Sequence, residues 1–448
     1  MLRAEVNERL TRVGPGMPCG ELMRRYWIPI SPSAVLDENP VRKVRVLGED
    51  LVLFRSAGGN LGLVGERCLH RGVDLQYGIP DERGLRCPYH GWLYGADGRC
   101  LDTPLEDPNN DFKRHLALPA YPVQELGGLV FAYLGPAPVP LLPHWDLFVW
   151  PNAIRQIGIT ILDCNWLQCH ENTGDPTHSV WLHGHLFKYI LERMGAYDER
   201  AASATHTLHN RIRWGAGIKD LYAHATPYGM EKGVIYSKEL GAPEDSVHRH
   251  STVIFPFYTQ TGSAGMPRSE FQIRVPIDDT HTYHICYQVY AAPPDVPVPW
   301  QGSVPYYDIP LQDQNGKPIL DFVLAQDVLA WHAQGVIADR TQEHLARTDI
   351  PILFLRRQLE DQIRNVERGD DPMNVFRDPA HKDDMLHGAP AAPDDGATVG
   401  VSGQSAGAFR AQYHRGFFID DADRFGPAVP LVQELHRRIE ERATAGIS

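Results

Sequence analysis

The chain has 448 residues with a formal net charge of −13, and 43% of its residues are hydrophobic. This length predicts two domains, and the negative charge argues against nucleic acid binding, which needs a basic surface. No apolar run approaches the length that spans a bilayer, and the charged N-terminus lacks an apolar secretory core. We therefore expect a cytoplasmic protein that binds neither nucleic acid nor a membrane.

The first third of the chain has the pattern of a small β domain behind a short helix. Residues 4–13 predict the helix, and from residue 41 to 136 short apolar runs alternate with turn residues such as Asp97-Gly98. This alternation is typical of antiparallel strands joined by hairpins. We assign residues 1–40 to the helix and a lead-in that packs on the second domain, and residues 41–136 to the β domain.

Two short loops within the β domain each contain one cysteine and one histidine. The first is Cys68-Leu69-His70-Arg71-Gly72 and the second is Cys87-Pro88-Tyr89-His90-Gly91-Trp92. A zinc finger usually takes two cysteines from one element and two histidines from another. One of each from both loops suits a two-iron cluster in which one iron takes both cysteines and the other both histidines. This is the ligand pattern of a Rieske [2Fe–2S] cluster.

The second part of the chain, residues 137–448, predicts an α+β domain on an antiparallel sheet. Strand-like runs come before longer helical segments, an order that favours α+β over strict alternation. The Gly-, Ala- and Ser-rich stretch 388–407 predicts a mobile loop, and Pro430 starts a final docking helix. The strand candidates are 253–258, 271–275 and 282–290, and the helix candidates are 321–334 and 349–366.

A second metal site is indicated by Asp175, His178 and His183. On a helix, Asp175 and His178 would share one face, and a carboxylate that accepts from one imidazole nitrogen leaves the other free for a metal. His183 lies about 140° further around an ideal helix, so we expect the helix to bend or end before it, near Gly184. Two histidines and a distant carboxylate would form the facial triad of non-haem Fe(II) oxygenases. His170, His185 and Cys169 are competing ligands, and residue chemistry alone leaves this site open.

Both motifs together resemble the oxygenase (α) component of Rieske non-haem iron aromatic-ring-hydroxylating oxygenases. The loops are similar to that family's C-x-H-R-G…C-x-Y-H-G-W motif, and the later residues to its D-x-x-H-x-x-x-x-H motif. The segment 337–345, Ile-Ala-Asp-Arg-Thr-Gln-Glu-His-Leu, looks most like the phthalate-dioxygenase branch. The resemblance covers roughly residues 20 to 375. It implies a helix-grip (START-like) catalytic domain behind the Rieske domain.

The resemblance also implies the ligands of each metal. It assigns the [2Fe–2S] cluster to both loop cysteines and both loop histidines, and the mononuclear iron to His178, His183 and a later carboxylate. The matching carboxylate is Asp327, on a segment where helical spacing groups it with apolar residues. Asp313, Asp321 and Asp339 are its competitors. The cluster ligands are Cys68, His70, Cys87 and His90.

In this family the cluster of one subunit lies beside the iron of the next, so the resemblance implies a homotrimer or a stacked hexamer. Asp175 would then accept hydrogen bonds from His90 and His178 across the subunit interface. Electrons would come from a separate NAD(P)H-dependent reductase, since the chain shows no dinucleotide-binding glycine motif after a strand. O₂ would be the co-substrate at the Fe(II) site.

The substrate implied is aromatic, and an aromatic carboxylate is favoured for hydroxylation or dioxygenation. Pro176 stands where the phthalate enzymes would have serine, which puts phthalate itself in doubt. Aryl-ether O-demethylation is the enzymatic alternative, and a Rieske electron-transfer protein without oxygenase activity is the alternative of another class. Candidate carboxylate partners and pocket aromatics, each also compatible with surface ion pairs or core packing, are Arg193, Arg211, Arg213, Lys232, Trp214, Phe255, Phe257 and Tyr258.

Overall fold

The computed structural model describes residues 2–107, 111–197, 215, 217–236, 247–249, 251–262, 268–389 and 421–445. Apart from residues 388 and 389, the loop predicted over 388–407 lies outside these described residues. The same holds for Arg211, Arg213 and Trp214.

Helices occur at both ends of the chain and between the strands of its second half. The predicted N-terminal helix is present and ends two residues early, at Thr11. Among the described residues no helix is both long and apolar enough to cross a membrane. The helices are α1 (Ala4–Thr11), α2 (Pro18–Met23), α3 (Val35–Glu38), α4 (Asp146–Val149), α5 (Trp166–Gly174), α6 (His178–Val180), a π-helical segment (Trp181–Leu186), α7 (Phe187–Arg193), α8 (Val323–His332), α9 (Ile350–Glu367), α10 (Asp421–Phe425) and α11 (Val429–Ala445), with 3₁₀ turns at Leu75–Tyr77, Asp111–His115, Arg347–Asp349 and Pro379–His381.

Three small antiparallel sheets form the first part of the chain. Their strand orders are β1-β11-β10, β2-β3-β4-β9 and β5-β6-β7-β8. The lead-in therefore contributes a strand, because β1 pairs with β11. The strands are β1 (Trp27–Pro32), β2 (Val41–Val46), β3 (Glu49–Arg55), β4 (Leu61–Gly65), β5 (Ile79–Asp81), β6 (Gly84–Arg86), β7 (Leu93–Tyr94), β8 (Cys100–Asp102), β9 (Ala120–Tyr121), β10 (Val123–Leu126) and β11 (Leu129–Tyr133).

One large sheet, which we call the main sheet, organises the second part in the order β14-β15-β17-β18-β19-β20-β13-β21, with β16 paired to β15. The strand predicted over 253–258 is wrong as a single element, because Pro256 has no N–H to continue a ladder and the run divides into β17 and β18. The strands are β12 (His144–Trp145), β13 (Ala153–Leu162), β14 (Ile218–Thr226), β15 (Gly229–Tyr236), β16 (Val247–Arg249), β17 (Thr252–Ile254), β18 (Tyr258–Thr261), β19 (Ser269–Pro276), β20 (Thr282–Ala291), β21 (Tyr306–Asp308) and β22 (Met385–Leu386).

The inner face of the main sheet is the face that α5 and α8 cover. Thr173 of α5 is hydrogen-bonded to Thr259 of β18, with 2.8 Å between their hydroxyl oxygens. Trp331 of α8 lies against Arg274 of β19. Because directly paired residues of antiparallel strands point to the same side, the register places Lys232 on this inner face as well. The interior between sheet and helices is therefore partly polar.

The C-terminal helix α11 packs on the edge region of the main sheet. Leu435 and Ile439, two residues of its predicted apolar stripe, are buried against Ile154 and Tyr290. This confirms the predicted docking helix.

A buried carboxylate connects α5 to three distant parts of the chain. Glu171 accepts from Arg340 at 2.7 Å and from Arg356 at 2.5 Å. Arg340 also donates to Asn7 of α1, and Arg356 donates to Glu343. Burial alone would raise the pKa of Glu171, but the two guanidinium groups outweigh it and hold the pKa below its ordinary value. The network therefore stabilises α5, which precedes the iron motif.

Glu171→Gln should lower the free energy of unfolding by about 3–5 kcal/mol at pH 7, because it leaves a buried guanidinium uncompensated. Since the folded-state pKa of Glu171 is depressed, its contribution is present above the ordinary glutamate pKa of about 4.3 and is lost as pH falls below it. Urea unfolding at several pH values measures both effects. The difference between variant and wild type should therefore shrink towards pH 4.

The matched control is Glu367→Gln, which removes a partly exposed partner of Arg9. An exposed ion pair is worth less than about 1 kcal/mol. Equal losses in the two variants would contradict a stabilising role for the Glu171 network.

Candidate functional site

The first Cys–His loop follows β4 and is closed by backbone hydrogen bonds across Cys68. The Cys68 amide donates to Val73, and the Gly72 amide donates to the Cys68 carbonyl, both at 2.9 Å. Gly72 has φ of +71°, a conformation that favours glycine. This tight turn presents the side chains of Cys68 and His70 together.

The second Cys–His loop repeats this arrangement between β6 and β7. Cys87 donates to Trp92 at 2.8 Å, and Gly91 donates to Cys87 at 3.1 Å. Gly91 has φ of +74°, and a Cβ there would lie 2.9 Å from Pro104 Cγ. Only glycine therefore fits this turn without strain.

The two loops face each other so that like donors lie together. The thiol of Cys87 lies beside that of Cys68. Burial raises the pKa of Cys87, and the neighbouring Cys68 thiol raises it further. The ring centroids of His70 and His90 are 4.4 Å apart. A thiol pair and an imidazole pair fit a two-iron cluster that takes cysteines on one iron and histidines on the other.

Two aromatic side chains support the first loop. Trp92 stacks on His70, with ring centroids 4.6 Å apart and an interplanar angle of 6°. The Tyr94 hydroxyl lies 3.2 Å from the Cys68 sulfur and accepts from the Leu69 amide at 3.0 Å. Its own hydrogen is therefore available to the sulfur, and hydrogen bonds to sulfur tune the potential of such clusters.

His178 and His183 are brought together by a change of helix type. The sequence predicts that the helix bends or ends before His183. It does not end there: it widens from α6 into the π-helical segment and continues as α7. A π turn closes i→i+5 contacts, which compensates the 140° offset of an ideal α-helix. The two rings lie 5.1 Å apart at 80° to each other.

Asp327 of α8 completes a compact group with these two histidines. Its Oδ1 lies 3.1 Å from His183 Nε2 and 3.6 Å from His178 Nε2. Two ligands that meet one ion at right angles, with bonds of about 2.1 Å, are about 3 Å apart. The three donor atoms, which all lie within 4.8 Å of one another, therefore fit one metal ion.

The protonation states of this group also suit a metal. Burial would raise the pKa of Asp327, but His183 and then His178 outweigh it and lower the pKa to about 2. Burial lowers the pKa of His178, with His183 adding to the effect. A charged carboxylate and a neutral imidazole are the forms that bind divalent iron.

Neighbouring groups orient all three side chains. His183 Nδ1 bonds Gln326 Oε1 at 2.9 Å, and the Asn172 amide donates to Asp327 Oδ1 at 3.2 Å. His178 Nδ1 lies 2.7 Å from the backbone carbonyl of Asp175 but 3.8 Å from its carboxylate. The acceptor is thus the carbonyl and not the carboxylate that the helical interpretation predicted, because α5 ends at Gly174 and Asp175 is extended.

The competing ligands predicted from sequence lie elsewhere. His170 is buried without a hydrogen-bond partner, and His185 stacks on Trp181. Cys169 contacts Cys164, with sulfurs 3.5 Å apart. The competing aspartates are engaged separately, with Asp321 paired to Arg424, Asp339 bonded to Thr341 and Asp313 in a turn with Asn315 and Lys317.

The predicted pocket residues divide into three groups. Phe255, Phe257 and Tyr258 belong to the hydrophobic core, so they pack against other core aromatics. Arg193 is exposed. Lys232 is buried on the inner face of the main sheet, with 2% of its surface exposed.

Known proteins match both halves of the chain. Residues 26–122 match the family described as Rieske [2Fe-2S] domain, and residues 311–385 that described as LigXa C-terminal domain like. The chain is 38% identical to the 5,5'-dehydrodivanillate O-demethylase oxygenase subunit of Sphingobium sp. (strain NBRC 103272 / SYK-6), over 87% of this chain and 90% of that protein. It belongs to the Rieske non-haem iron oxygenases.

Other relatives support the same family. The chain is 29% identical to the phthalate 4,5-dioxygenase oxygenase subunit of Pseudomonas putida, over 83% of this chain and 88% of that protein. Its fold matches the terminal oxygenase of carbazole 1,9a-dioxygenase from Novosphingobium sp. KA1, with a TM-score of 0.53 and 22% identity over 79% of this chain and 97% of that one.

This membership confirms the predicted family, α+β fold class, enzyme class and cofactors. Its relatives are named as oxygenase subunits of an O-demethylase and of a phthalate dioxygenase and as the alpha subunit of a phenoxybenzoate dioxygenase, so this chain is the oxygenase component of such a system. As a member of this family it uses a Rieske [2Fe–2S] cluster and mononuclear iron.

Sequence reasoning missed Gln326 and Asn172. Gln326 carried a usable signal, because it adjoins Asp327 inside an otherwise apolar helix. Asn172 lies within the segment leading to the iron motif, but nothing local indicates that it reaches a residue of α8.

Gln326→Leu should lower the iron affinity of the His178–His183–Asp327 group about 10- to 100-fold, because the His183 ring loses its orienting acceptor. Iron retained during dialysis against graded chelator measures the change. The matched control is Gln334→Leu, just after α8, where the exposed side chain donates to the Ala330 carbonyl. A normal iron affinity in Gln326→Leu would contradict the orienting role.

Proposed function

We propose that this oxygenase removes the methyl group from an aryl ether of an aromatic carboxylic acid. The observation that carries the proposal is the 38% identity to an O-demethylase oxygenase subunit over 90% of its length. Dioxygenation of an aromatic acid is the second candidate, favoured by 32% identity to the phenoxybenzoate dioxygenase subunit alpha of Ectopseudomonas oleovorans.

The geometry of the two donor sets supports a proposed set of ligands for each metal. Cys68, His70, Cys87 and His90 would hold the cluster. His178, His183 and Asp327 would hold the iron. When bound, the cluster supplies single electrons and the iron supplies the site at which O₂ is reduced beside the substrate.

The protein's own residues would control geometry and solvent. Gln326 and the Asp175 carbonyl set the ring orientations of the two histidines. His183 and Asp327 are buried, with side chains 4% and 5% exposed. Their burial keeps bulk water from this side of the site, which limits side reactions of reduced oxygen.

The overall reaction balances with one O₂ and two electrons. The aryl methyl ether, O₂, two protons and two electrons give the phenol, formaldehyde and water. Hydroxylation of the methyl carbon forms a hemiacetal, Ar–O–CH₂–OH. The bond between the aryl ether oxygen and the CH₂ carbon then breaks, the hydroxyl proton passes to the phenol oxygen, and formaldehyde is released. The two electrons come from NAD(P)H through the separate reductase.

We also propose a homotrimer or stacked hexamer in the cytoplasm. Tyr89 beside His90 is 53% exposed, so the cluster region can meet another subunit. His178 is 23% exposed at its side chain, which leaves the iron group reachable from outside. None of the seven cysteines forms a disulfide, as in a reducing compartment.

The reaction is tested with purified holoenzyme, a surrogate reductase and NADH, using methoxybenzoates as substrates. Demethylation predicts one formaldehyde and one hydroxybenzoate for each O₂ consumed. Benzoate, which lacks the ether, is the control and should release no formaldehyde. A cis-diol formed from the methoxybenzoates without formaldehyde would support dioxygenation instead.

Asp175 is proposed to carry the electronic connection between two subunits. Its backbone carbonyl bonds His178 Nδ1 at 2.7 Å, and its carboxylate would accept from His90 of the neighbouring subunit, which is the contact that Asp175→Asn alters. Asp175→Asn should keep about three iron atoms per chain but slow oxidation of the reduced cluster about 10- to 100-fold. Single-turnover absorbance with substrate and O₂ measures this rate. The control is Asp163→Asn, whose side chain is 84% exposed. A fully loaded Asp175→Asn protein with the wild-type rate would exclude the role.

A further inference from the structure

Two buried cations have no carboxylate within ion-pair distance among the residues that the structure describes. Lys232 of β15 and Arg274 of β19 are 2% and 1% exposed, and both point to the inner face of the main sheet. Burying a charge is costly unless it is paired. Their partners therefore decide what these two residues do.

The observed partners are neutral. Lys232 Nζ donates to the Ser251 carbonyl at 2.9 Å and to its hydroxyl at 2.8 Å. Arg274 donates to the Thr259 hydroxyl and to Gln272 Oε1, both at 2.6 Å, and its Nε has no partner. Within the described part of the chain no carboxylate lies within 4 Å of either cation. By contrast, the buried arginines Arg340 and Arg356 both pair with the carboxylate of Glu171.

Other polar atoms around Arg274 also lack partners. Both ring nitrogens of His170, Nδ1 of His284 and Nε1 of Trp331 are buried without hydrogen bonds. The Arg274 guanidinium lies 5.4 Å from the Trp331 ring, and the His284 ring lies 5.6 Å from it. Buried donors are normally satisfied, so this interior is built to receive a polar group.

The interior adjoins the iron group. Trp331 lies one helical turn after Asp327 on α8, and α5 carries His170 one turn before Gly174 and Asp175. The Asp327 carboxylate raises the pKa of Arg274 against the stronger effect of burial, which lowers it. The two cations thus lie on the sheet opposite the helices that hold the iron ligands.

The two cations also repel each other. Burial, and after it the charge of Arg274, lowers the pKa of Lys232 to about 7, and the Asp175 carboxylate opposes this shift only weakly. An anion between them would relieve this repulsion and restore the charge on the lysine. The aromatic rings of Trp331 and His284 beside Arg274 suit a flat substrate.

We propose that Lys232 and Arg274 form an anion-binding site that holds the carboxylate of the aromatic substrate inside the main sheet, opposite the iron group. This inference rests on the proposed function, which it deepens by naming the residues that select an aromatic acid over a neutral aromatic compound. Neither cation touches the reacting atoms, so both are positioning residues.

The test compares binding of 4-methoxybenzoate and its neutral analogue 4-methoxybenzamide to oxidised holoenzyme, by calorimetry without reductase. Wild type should prefer the acid. Lys232→Met and Arg274→Gln should each weaken acid binding about 10- to 100-fold and leave amide binding unchanged. Lys232→Arg should restore part of the preference. Lys188→Met and Arg193→Gln alter one partly exposed and one exposed cation of α7 and should bind both ligands like wild type.

Iron content, the cluster signal in electron paramagnetic resonance and the thermal midpoint show whether each variant is folded. Removing an unpaired buried charge should leave the ligand-free midpoint of Lys232→Met unchanged or higher. The proposal is overturned if Lys232→Met keeps the wild-type preference for the acid, or if it loses acid and amide binding equally. A lower midpoint with unchanged acid binding would make Lys232 a structural counter-charge only.

The outcome is separate from that of the turnover assay. If the acid binds through Lys232 and Arg274 but gives a cis-diol, the anion site stands and O-demethylation falls. If formaldehyde is released while the variants keep acid affinity, O-demethylation stands and the anion site falls.

Discussion

The second half of this protein depends on one buried carboxylate. Asp327 lies between the main sheet and its covering helices, where a negative charge is tolerated only beside compensating groups. His178 and His183 meet it because the helix widens into a π turn, and Asn172 donates to it from α5. The positions of α5, the π-helical segment and α8 are thus tied to a single charge and to the metal that the three donors fit.

The two metal sites differ in burial in a way that suits different tasks. The cluster loops lie at the end of small sheets, and Tyr89 beside His90 is exposed, so electrons can enter and leave there. The iron group lies deeper, with His183 and Asp327 almost wholly enclosed. This difference in burial supports the proposed roles, electron exchange at the cluster loops and chemistry on the substrate at the iron group.

Two sets of buried charges differ in whether a residue of opposite charge lies beside them, and this difference indicates their roles. Glu171 is paired with Arg340 and Arg356 and joins distant segments, so its charges are accounted for within the fold. Lys232 and Arg274 are equally enclosed, and the groups that accept their hydrogen bonds in the described part of the chain are neutral. Two buried cations whose hydrogen-bond acceptors are neutral would be stabilised by a bound anion, such as the proposed substrate carboxylate.

The sequence by itself determined the local chemistry of this protein. The cluster loops, the spacing of His178 and His183 and the family followed from residues close together in the chain, where turns and helices constrain geometry directly. Residue patterns could not reveal the π turn, the hydrogen bond from Asn172 to Asp327, or the burial of Lys232. The alternating polar and apolar residues of a strand form the same sequence pattern whether the polar face contacts solvent or a helix. Only the packing of α5 and α8 on the main sheet decides this, because it brings together segments that are distant in the sequence.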